Sequence, residues 1–400
     1  MAPSRREFIG GLVAGGALAG AAPELLKGAE GAGAGETYTA CIIGHTGRGD
    51  YGHGLDLAFQ KVAGVRVAAV ADPDEKGRKE TAQKSGAPRS YADWREMLEK
   101  EKPNLVAIGP RWVEKRLEMI SAAARIGAHV VMEKPMAASL EEADAILDVT
   151  AKAKTKIALA FHVRVAPTIV HLKKLLDEGF LGDLLEMRTR GKEDHRAGGE
   201  DMAVLGTHCM YLMRYFAGEP IWCSARVSEK GREIAAGDRR AATEPLGPVA
   251  GDTIDATFAF AGGVVGHFAS HKILQGSGGR FTIALHGSKG VAIAHIGADP
   301  EIFHLPDPLW SPGKSGARWQ PLPGAPSNKD PSGLADFAAA NKRLVEGLIH
   351  AVETGGESVA SAAEGRAVLE MIFAVYAAHL KGGRVAFPLG ERRHPLGTLG

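Results

Sequence analysis

From residue 37 onward the chain alternates short apolar or β-branched runs with segments whose apolar residues recur every three to four positions. The runs at 39–43, 65–71, 105–108 and 129–132 are dominated by Ala, Val, Ile, Leu, Cys and Met. Near-continuous apolar runs of that length suit strands buried on both faces. Between them, 75–84 and 113–126 carry a helical period. Strand–helix alternation of this kind predicts a parallel sheet with helices on both faces. Farther along, 252–260, 262–271 and 281–286 read as strands joined by glycine turns, and 337–354 and 360–380 read as helices. The pattern therefore predicts a first unit over 37–158 and a second strand-and-helix unit over 159–400.

Residues 1–36 follow a different rule. Arg5 and Arg6 precede Phe8 and Ile9, and a Gly/Ala-rich apolar stretch runs from 10 to 22. Paired arginines, a modestly apolar segment and then small residues form the layout of a twin-arginine export signal. Two A-x-A cleavage sites overlap, at 17–19 and 19–21. The run is shorter than the ~20 strongly apolar residues of a spanning helix, so no stable membrane anchor is expected. Residues 28–36 are mostly Gly and Ala and read as linker. The expected location is periplasmic, with the twin-arginine machinery as a partner and any cofactor loaded before export.

Composition narrows the classes. The 400 residues carry 48 Lys plus Arg against 47 Asp plus Glu, a net charge of +1, with 45% hydrophobic content. Such a chain has enough apolar mass for two domains and no electrostatic case for nucleic acid or an anionic membrane. Cys41, Cys209 and Cys223 are odd in number and fit neither a zinc spacing nor a disulfide framework. A Cys209–Cys223 bridge is the pairing left open. No metal is expected, since His-x-x-x-His and Cys-x-x-Cys spacings are absent.

The first predicted strand runs directly into Gly44-His45-Thr46-Gly47-Arg48-Gly49-Asp50-Tyr51-Gly52. Glycines after a strand let the backbone turn sharply and approach a pyrophosphate at a helix N-terminus. Read from the strand end, Gly44 and Gly49 take the first and third glycine positions, with Thr46 at the second. The frame Gly47-x-Gly49-x-x-Gly52 matches too but starts three residues late. Asp72 closes the second strand, where a carboxylate accepts from adenosine ribose hydroxyls and repels a 2′-phosphate. This favours NAD over NADP, with Lys76 and Arg78 keeping NADP open.

The segment Gly127-Ala128-His129-Val130-Val131-Met132-Glu133-Lys134-Pro135 closely resembles the Glu-Lys-Pro motif of the Gfo/Idh/MocA family, named for glucose–fructose oxidoreductase, inositol dehydrogenase and a rhizopine-catabolism protein. Tyr91-Ala92-Asp93-Trp94 precedes it, Pro110 follows the third strand, and Ser139-x-x-Glu142 forms a capping box opening the next helix. Arg164-x-x-Pro167, Gly179-Phe180-Leu181-Gly182, Gly206-Thr207-His208, Gly365-Arg366-Ala367-Val368 and Val385-Ala386-Phe387-Pro388 follow in order. The resemblance spans about 37–389. It implies an α/β protein: an N-terminal Rossmann domain and a C-terminal α/β domain with an open, mainly antiparallel sheet, which in the family often forms homo-oligomer contacts.

It also implies a chemistry. The lysine of the motif, here Lys134, reaches the substrate hydroxyl beside the nicotinamide, and a histidine of the second domain, here His208, is the acid/base. Gly44, Thr46, Gly47, Gly49, Asp72, Pro110, Glu133 and Lys134 are the expected cofactor contacts. An ammonium stabilises a developing alkoxide and an imidazole titrates near neutrality, so the pair suits removal of a hydroxyl proton as hydride leaves. Many members carry acids before and after that histidine, where this chain has Val204 and Tyr211. Glu200 and Asp201 are candidate replacements, and Tyr211 is a candidate acid or a packing residue. His162 with Arg164, and His195 in the polar run 188–201, are candidate substrate contacts. The leading expectation is a dehydrogenase for a sugar, glycoside or cyclitol with tightly bound NAD. The alternatives are an NAD-dependent glycoside hydrolase with no net redox change, and a carbohydrate-binding protein that has lost turnover.

Overall fold

A computed structural model describes residues 38–272 and 280–397. The export signal and linker expected at 1–36 lie outside the described residues.

Six parallel strands form the first sheet: β1 (Tyr38–Ile43), β2 (Val65–Ala71), β3 (Arg89–Tyr91), β4 (Leu105–Ile108), β5 (His129–Met132) and β6 (Ile157–Leu159). Their order is β3-β2-β1-β4-β5-β6. Helices α1 (Glu75–Ser85), α2 (Trp94–Glu101), α3 (Arg116–Arg125) and α4 (Leu140–Ala153) connect them. The apolar runs become strands because every side chain of β4, and the last four of β1, are buried. Fully burying one such Ile or Leu contributes about 1.5–3 kcal/mol. Strand order reverses between β1 and β4, so the crevice for a ligand opens at the carboxyl ends of those two strands.

Helix starts follow local capping. Asp74 accepts from Gly77 N at 2.7 Å and Ser139 from Glu142 N at 3.1 Å. The expected reciprocal bond at Ser139 is displaced by one residue, because the Glu142 carboxylate takes Ala138 N at 2.9 Å.

The second half contains α5 (Pro167–Asp177), β7 (Leu184–Arg190), α6 (Gly199–Val204), α7 (Gly206–Ala217) and β8 (Pro220–Glu229). After three two-residue strands (β9 Arg232–Glu233, β10 Arg240–Ala241, β11 Pro248–Val249) come β12 (Thr253–Phe260), β13 (Val265–His271), β14 (Thr282–Gly287), β15 (Gly290–His295), β16 (Ile302–Leu305) and β17 (Gln320–Pro321). The short α8 (Pro312–Ser315) precedes β17, and α9 (Asp336–Thr354), α10 (Ala362–Lys381) and β18 (Val385–Ala386) complete the chain. The large sheet runs β17-β16-β15-β14-β7-β13-β12-β8-β18, with β9 on β8. Only β7 and β13 pair in parallel, so the sheet is mainly antiparallel, as the resemblance implies. Its strands alternate: Ile254, Ala256, Phe258 and Phe260 of β12 point inward. Helix α10 joins the two halves, packing on α4 and β6 on one side and on α7 and β8 on the other. All three cysteines are buried free thiols, which closes the Cys209–Cys223 option. Among the described residues no helix is long and apolar enough to cross a membrane, and no cluster of potential metal ligands occurs.

One expectation fails. No helix follows the glycine-rich loop: residues 44–54 stay irregular and lead only to a three-residue 3-10 turn at Leu55–Leu57. The reason is backbone handedness. Gly47, Gly49, Gly52, Gly54 and even Asp50 have φ between 49° and 82°, and left-handed residues do not propagate a right-handed helix. An anion here therefore meets loop N–H groups rather than a helix terminus.

These glycines differ in what they tolerate. At Gly47 a Cβ would meet nothing within 4 Å, whereas at Gly49 it would fall 2.6 Å from Arg111 N. Gly47→Ala should cost about 1 kcal/mol from backbone strain alone, and Gly49→Ala roughly 1–3 kcal/mol more from the clash. Urea unfolding midpoints measure the difference; equal losses would place the whole cost in backbone conformation.

Candidate active site

The ends of β4 and β5 are gathered by one buried cation. Arg116, on the first turn of α3 and 1% exposed, donates from Nη2 to the carbonyls of Pro110 at 2.9 Å and Trp112 at 3.4 Å. Its Nη1 donates to the carbonyls of Glu133 and of Pro135, the latter at 3.0 Å. The planar guanidinium thus ties the loop after β4 to the loop after β5, where the Lys134–Pro135 bond is cis. Arg116 was missed in the sequence, although a signal existed: it falls on the same helical stripe as Met119, Ile120 and Ala123.

Glu133 follows β5 and is fully buried. Its Oε1 accepts from His53 N at 2.6 Å and from the His53 ring Nδ1 at 2.7 Å, and its Oε2 from Lys134 N at 3.2 Å. Burial acts to raise its pKa, but the His53 bonds and the charges of His53, Lys134 and His162 hold the carboxyl well below its usual range. Gly52 makes the approach possible, since a Cβ there would sit 2.3 Å from Glu133 Cγ.

Lys134 is 3% exposed and donates from Nζ to the Val204 carbonyl at 2.8 Å. Burial lowers its pKa, opposed by Glu133 and Glu244 and assisted by Arg196 and Arg111. His208 lies on α7, one turn past Val204, and is 9% exposed. Phe161 meets its ring edge-on at 5.7 Å. Burial first, then the neighbouring Lys134, His162 and His53, hold the imidazole well below its ordinary pKa. Its Nδ1 is buried and has no partner among the described residues. The Glu-Lys-Pro segment and the second-half histidine thus converge, in a dry pocket.

Val204, where a carboxylate is common in the resembling family, packs with Val113 and Leu246 in a small apolar cluster. Neither proposed substitute fills its place. Asp201 accepts from Ser270 Oγ at 2.6 Å and from Glu193 N at 3.0 Å, which braces residues 191–201. Glu200 accepts from Thr243 N at 2.9 Å. Tyr211 donates its hydroxyl to Glu364 at 2.8 Å and stacks on Phe161 at 4.5 Å. Burial, then Glu364, raise its pKa well above normal, and its hydroxyl is engaged by Glu364.

The other candidates separate. The His162 Nε2 lies 2.7 Å from Asn341 Oδ1 and its ring 6.0 Å from that of His53, inside the group. Arg164 lies over the Tyr215 ring at 4.1 Å. His195 is solvent-exposed beside Asp194, 3.7 Å away, and stands apart from the buried group. Asn341, His53 and Glu364 were also missed; their partners lie 80 or more residues away in sequence.

At the other end of the crevice, Asp72 is fully buried. It accepts from Thr46 N at 2.9 Å, Thr46 Oγ1 at 2.8 Å and Asp74 N at 2.9 Å. In this conformation the carboxylate expected to face a ribose braces the glycine loop through Thr46. The Tyr51 ring covers Gly44, whose Cβ would meet it at 2.1 Å. The remaining polar groups suit a dinucleotide. Gly47 is open, and the buried donors Arg111 Nε and Trp112 Nε1 beside Gly49 have no partner among the described residues. Gly44, Thr46, Gly47 and Gly49 border this crevice together with Pro110, whose carbonyl faces inward to Arg116.

Comparison with known proteins bears on this geometry. The family model described as "Oxidoreductase family, NAD-binding Rossmann fold" matches residues 39–161, and the GFO/IDH/MocA C-terminal domain model matches 169–293. Levoglucosan dehydrogenase of Pseudarthrobacter phenanthrenivorans is 28% identical over 250 residues, covering 56% of this chain and 63% of that protein, so the match spans less than two thirds of its length. Trans-1,2-dihydrobenzene-1,2-diol dehydrogenase of Bos taurus is 26% identical over 281 residues, 66% of this chain and 74% of the relative. The fold matches the structure of a levoglucosan dehydrogenase in complex with NADH and levoglucosan, with TM-score 0.70 and 22% identity over 88% of this chain and 100% of that one. With the two family models together covering more than half of the chain, the protein belongs to the Gfo/Idh/MocA oxidoreductase family, and residues 39–161 are its NAD-binding Rossmann fold.

Proposed function

We propose that this protein is an NAD-dependent dehydrogenase that oxidises or reduces a ring or carbinol hydroxyl of a sugar, glycoside or cyclitol. The observation that carries the reading is the convergence of Lys134 and His208, from the two halves of the chain, through the Lys134 Nζ bond to the Val204 carbonyl at 2.8 Å. The names of the dehydrogenase relatives support the substrate class. When bound, NAD supplies the hydride acceptor or donor. Loop 44–54, Arg111 and Trp112 would hold it. Lys134 turns from the Val204 carbonyl to the substrate oxygen and stabilises negative charge there, while neutral His208 takes the hydroxyl proton. Burial of both groups excludes water and strengthens each interaction.

A second reading, a protein that binds carbohydrate without turnover, draws on the apolar Val204 and its hold on Lys134. Turnover separates the two. Lys134→Ala should reduce turnover at least about a hundredfold, with dinucleotide still bound and circular dichroism unchanged. Unchanged turnover would remove Lys134 from the mechanism. Because burial keeps His208 neutral well below its ordinary pKa, oxidation should hold its rate as pH falls from about 8 to 6. A tenfold loss over that interval would exclude His208 as the proton acceptor. The Arg5–Arg6 segment supports export by the twin-arginine route. Replacing both arginines by lysine should retain the protein in the cytoplasmic fraction, and undiminished periplasmic protein would end that reading.

A further inference from the structure

We propose that His53 is a positioning residue: its ring and main-chain N–H groups seat the Glu133 carboxylate so that the anion stands beside Lys134 whenever the glycine loop is folded against β5. The inference rests on the catalytic reading of Lys134 and assigns a role to a residue of the cofactor loop.

Both donors of His53 meet one oxygen. The main-chain N lies 2.6 Å and ring Nδ1 2.7 Å from Glu133 Oε1. The loop reaches that close because Gly52 has no Cβ, which would lie 2.3 Å from Glu133 Cγ. His53 is held from the far side as well. Asn341 of α9 donates from Nδ2 to the His53 carbonyl at 2.9 Å and turns its Oδ1 to His162 Nε2 at 2.7 Å. Phe337 packs on the His53 ring at 5.1 Å. The His53 side chain is 28% exposed and that of Glu133 is 0% exposed, so the imidazole closes the carboxylate off from water.

The charges around Lys134 show what this seat does. Glu133 from β5 and Glu244 from the 243–247 segment favour the ammonium. Arg111 after β4 and Arg196 in the 191–201 loop oppose it, and the buried rings of His208 and His162 and the partly exposed ring of His53 stand around the same group. Glu133 heads the favourable side. Without the His53 ring, Glu133 keeps only main-chain donors, one at residue 53 and one from Lys134 at 3.2 Å. A carboxylate held so weakly in a dry site shifts or takes up a proton, and Lys134 loses its nearest anion. The sign follows: a less stabilised ammonium gives up its proton at lower pH. The loop that receives the dinucleotide thereby also sets the charge on the lysine that meets substrate.

The test is competitive labelling with acetic anhydride across pH on the full-length protein, reading the Lys134 peptide by mass spectrometry. His53→Ala should move the Lys134 midpoint down by about one pH unit, and Glu133→Gln by at least as much. The double variant should move it no further than Glu133→Gln alone. His53→Gln, which offers a replacement N–H, should restore at least half of the shift. A role for His53 in access alone would change the plateau rate and leave the midpoint in place, and that result overturns the proposal. So does a midpoint moved by Glu133→Gln and unmoved by His53→Ala. Circular dichroism confirms folding of each variant, and His53→Gln carries the comparison if His53→Ala does not fold. Since labelling reads the lysine directly, it decides the seat even if Lys134→Ala proves fully active, an outcome that would defeat the catalytic reading alone.

Discussion

A guanidinium buried without a bonded carboxylate is the constraint on which this site depends. Taking Arg116 out of water costs several kcal/mol unless its donors are matched, and here four main-chain carbonyls take its two Nη groups while Nε is left without a partner among the described residues. Those carbonyls belong to two loops that would otherwise end their strands independently. With Arg116 between them, Pro110, Trp112, Glu133 and Pro135 form one rim, and Lys134 inherits its place from that rim. Burial also pushes the guanidinium pKa down to about 10, yet it stays charged at neutral pH.

Around this rim the polar groups are kept dry rather than dispersed. Lys134, Glu133, His162 and His208 are all at most 9% exposed. Three of the four have a partner: Glu133 has His53, Lys134 has a carbonyl and His162 has Asn341, while the Nδ1 of His208 has none among the described residues. The low dielectric that makes these charges costly also makes them effective on a reacting oxygen. Val204 fits the same logic. As an apolar residue it packs with Val113 and Leu246, and it meets Lys134 through its backbone carbonyl.

Much of this was legible before any coordinates. The runs at 65–71, 105–108 and 129–132 became strands with those bounds because continuous apolar segments have nowhere to go but a sheet covered on both faces. Glu133, Lys134 and His208 came from motif order. The loop was misjudged where handedness mattered: five glycines in eleven residues argued against the helix expected after them, and that signal went unused. Long-range pairs such as His53–Glu133 and Tyr211–Glu364 leave no local trace, because nothing in a residue's neighbours along the chain reports what a distant helix will bring to it. Arg116 was the intermediate case, a polar residue on an apolar stripe.

The bonds between Asp72 and Thr46 make two positions of the chain answer to each other. In a strand-end acid that answers only to a ribose, drift toward another cofactor can begin with that residue alone. Here the same carboxylate holds the glycine loop to the end of β2 through the two donors of Thr46, and also accepts from Asp74 N. A substitution at 72 therefore loosens the loop, and a substitution at 46 removes two of the donors that hold the acid. The two positions are therefore coupled, and the effects of replacing them should not add.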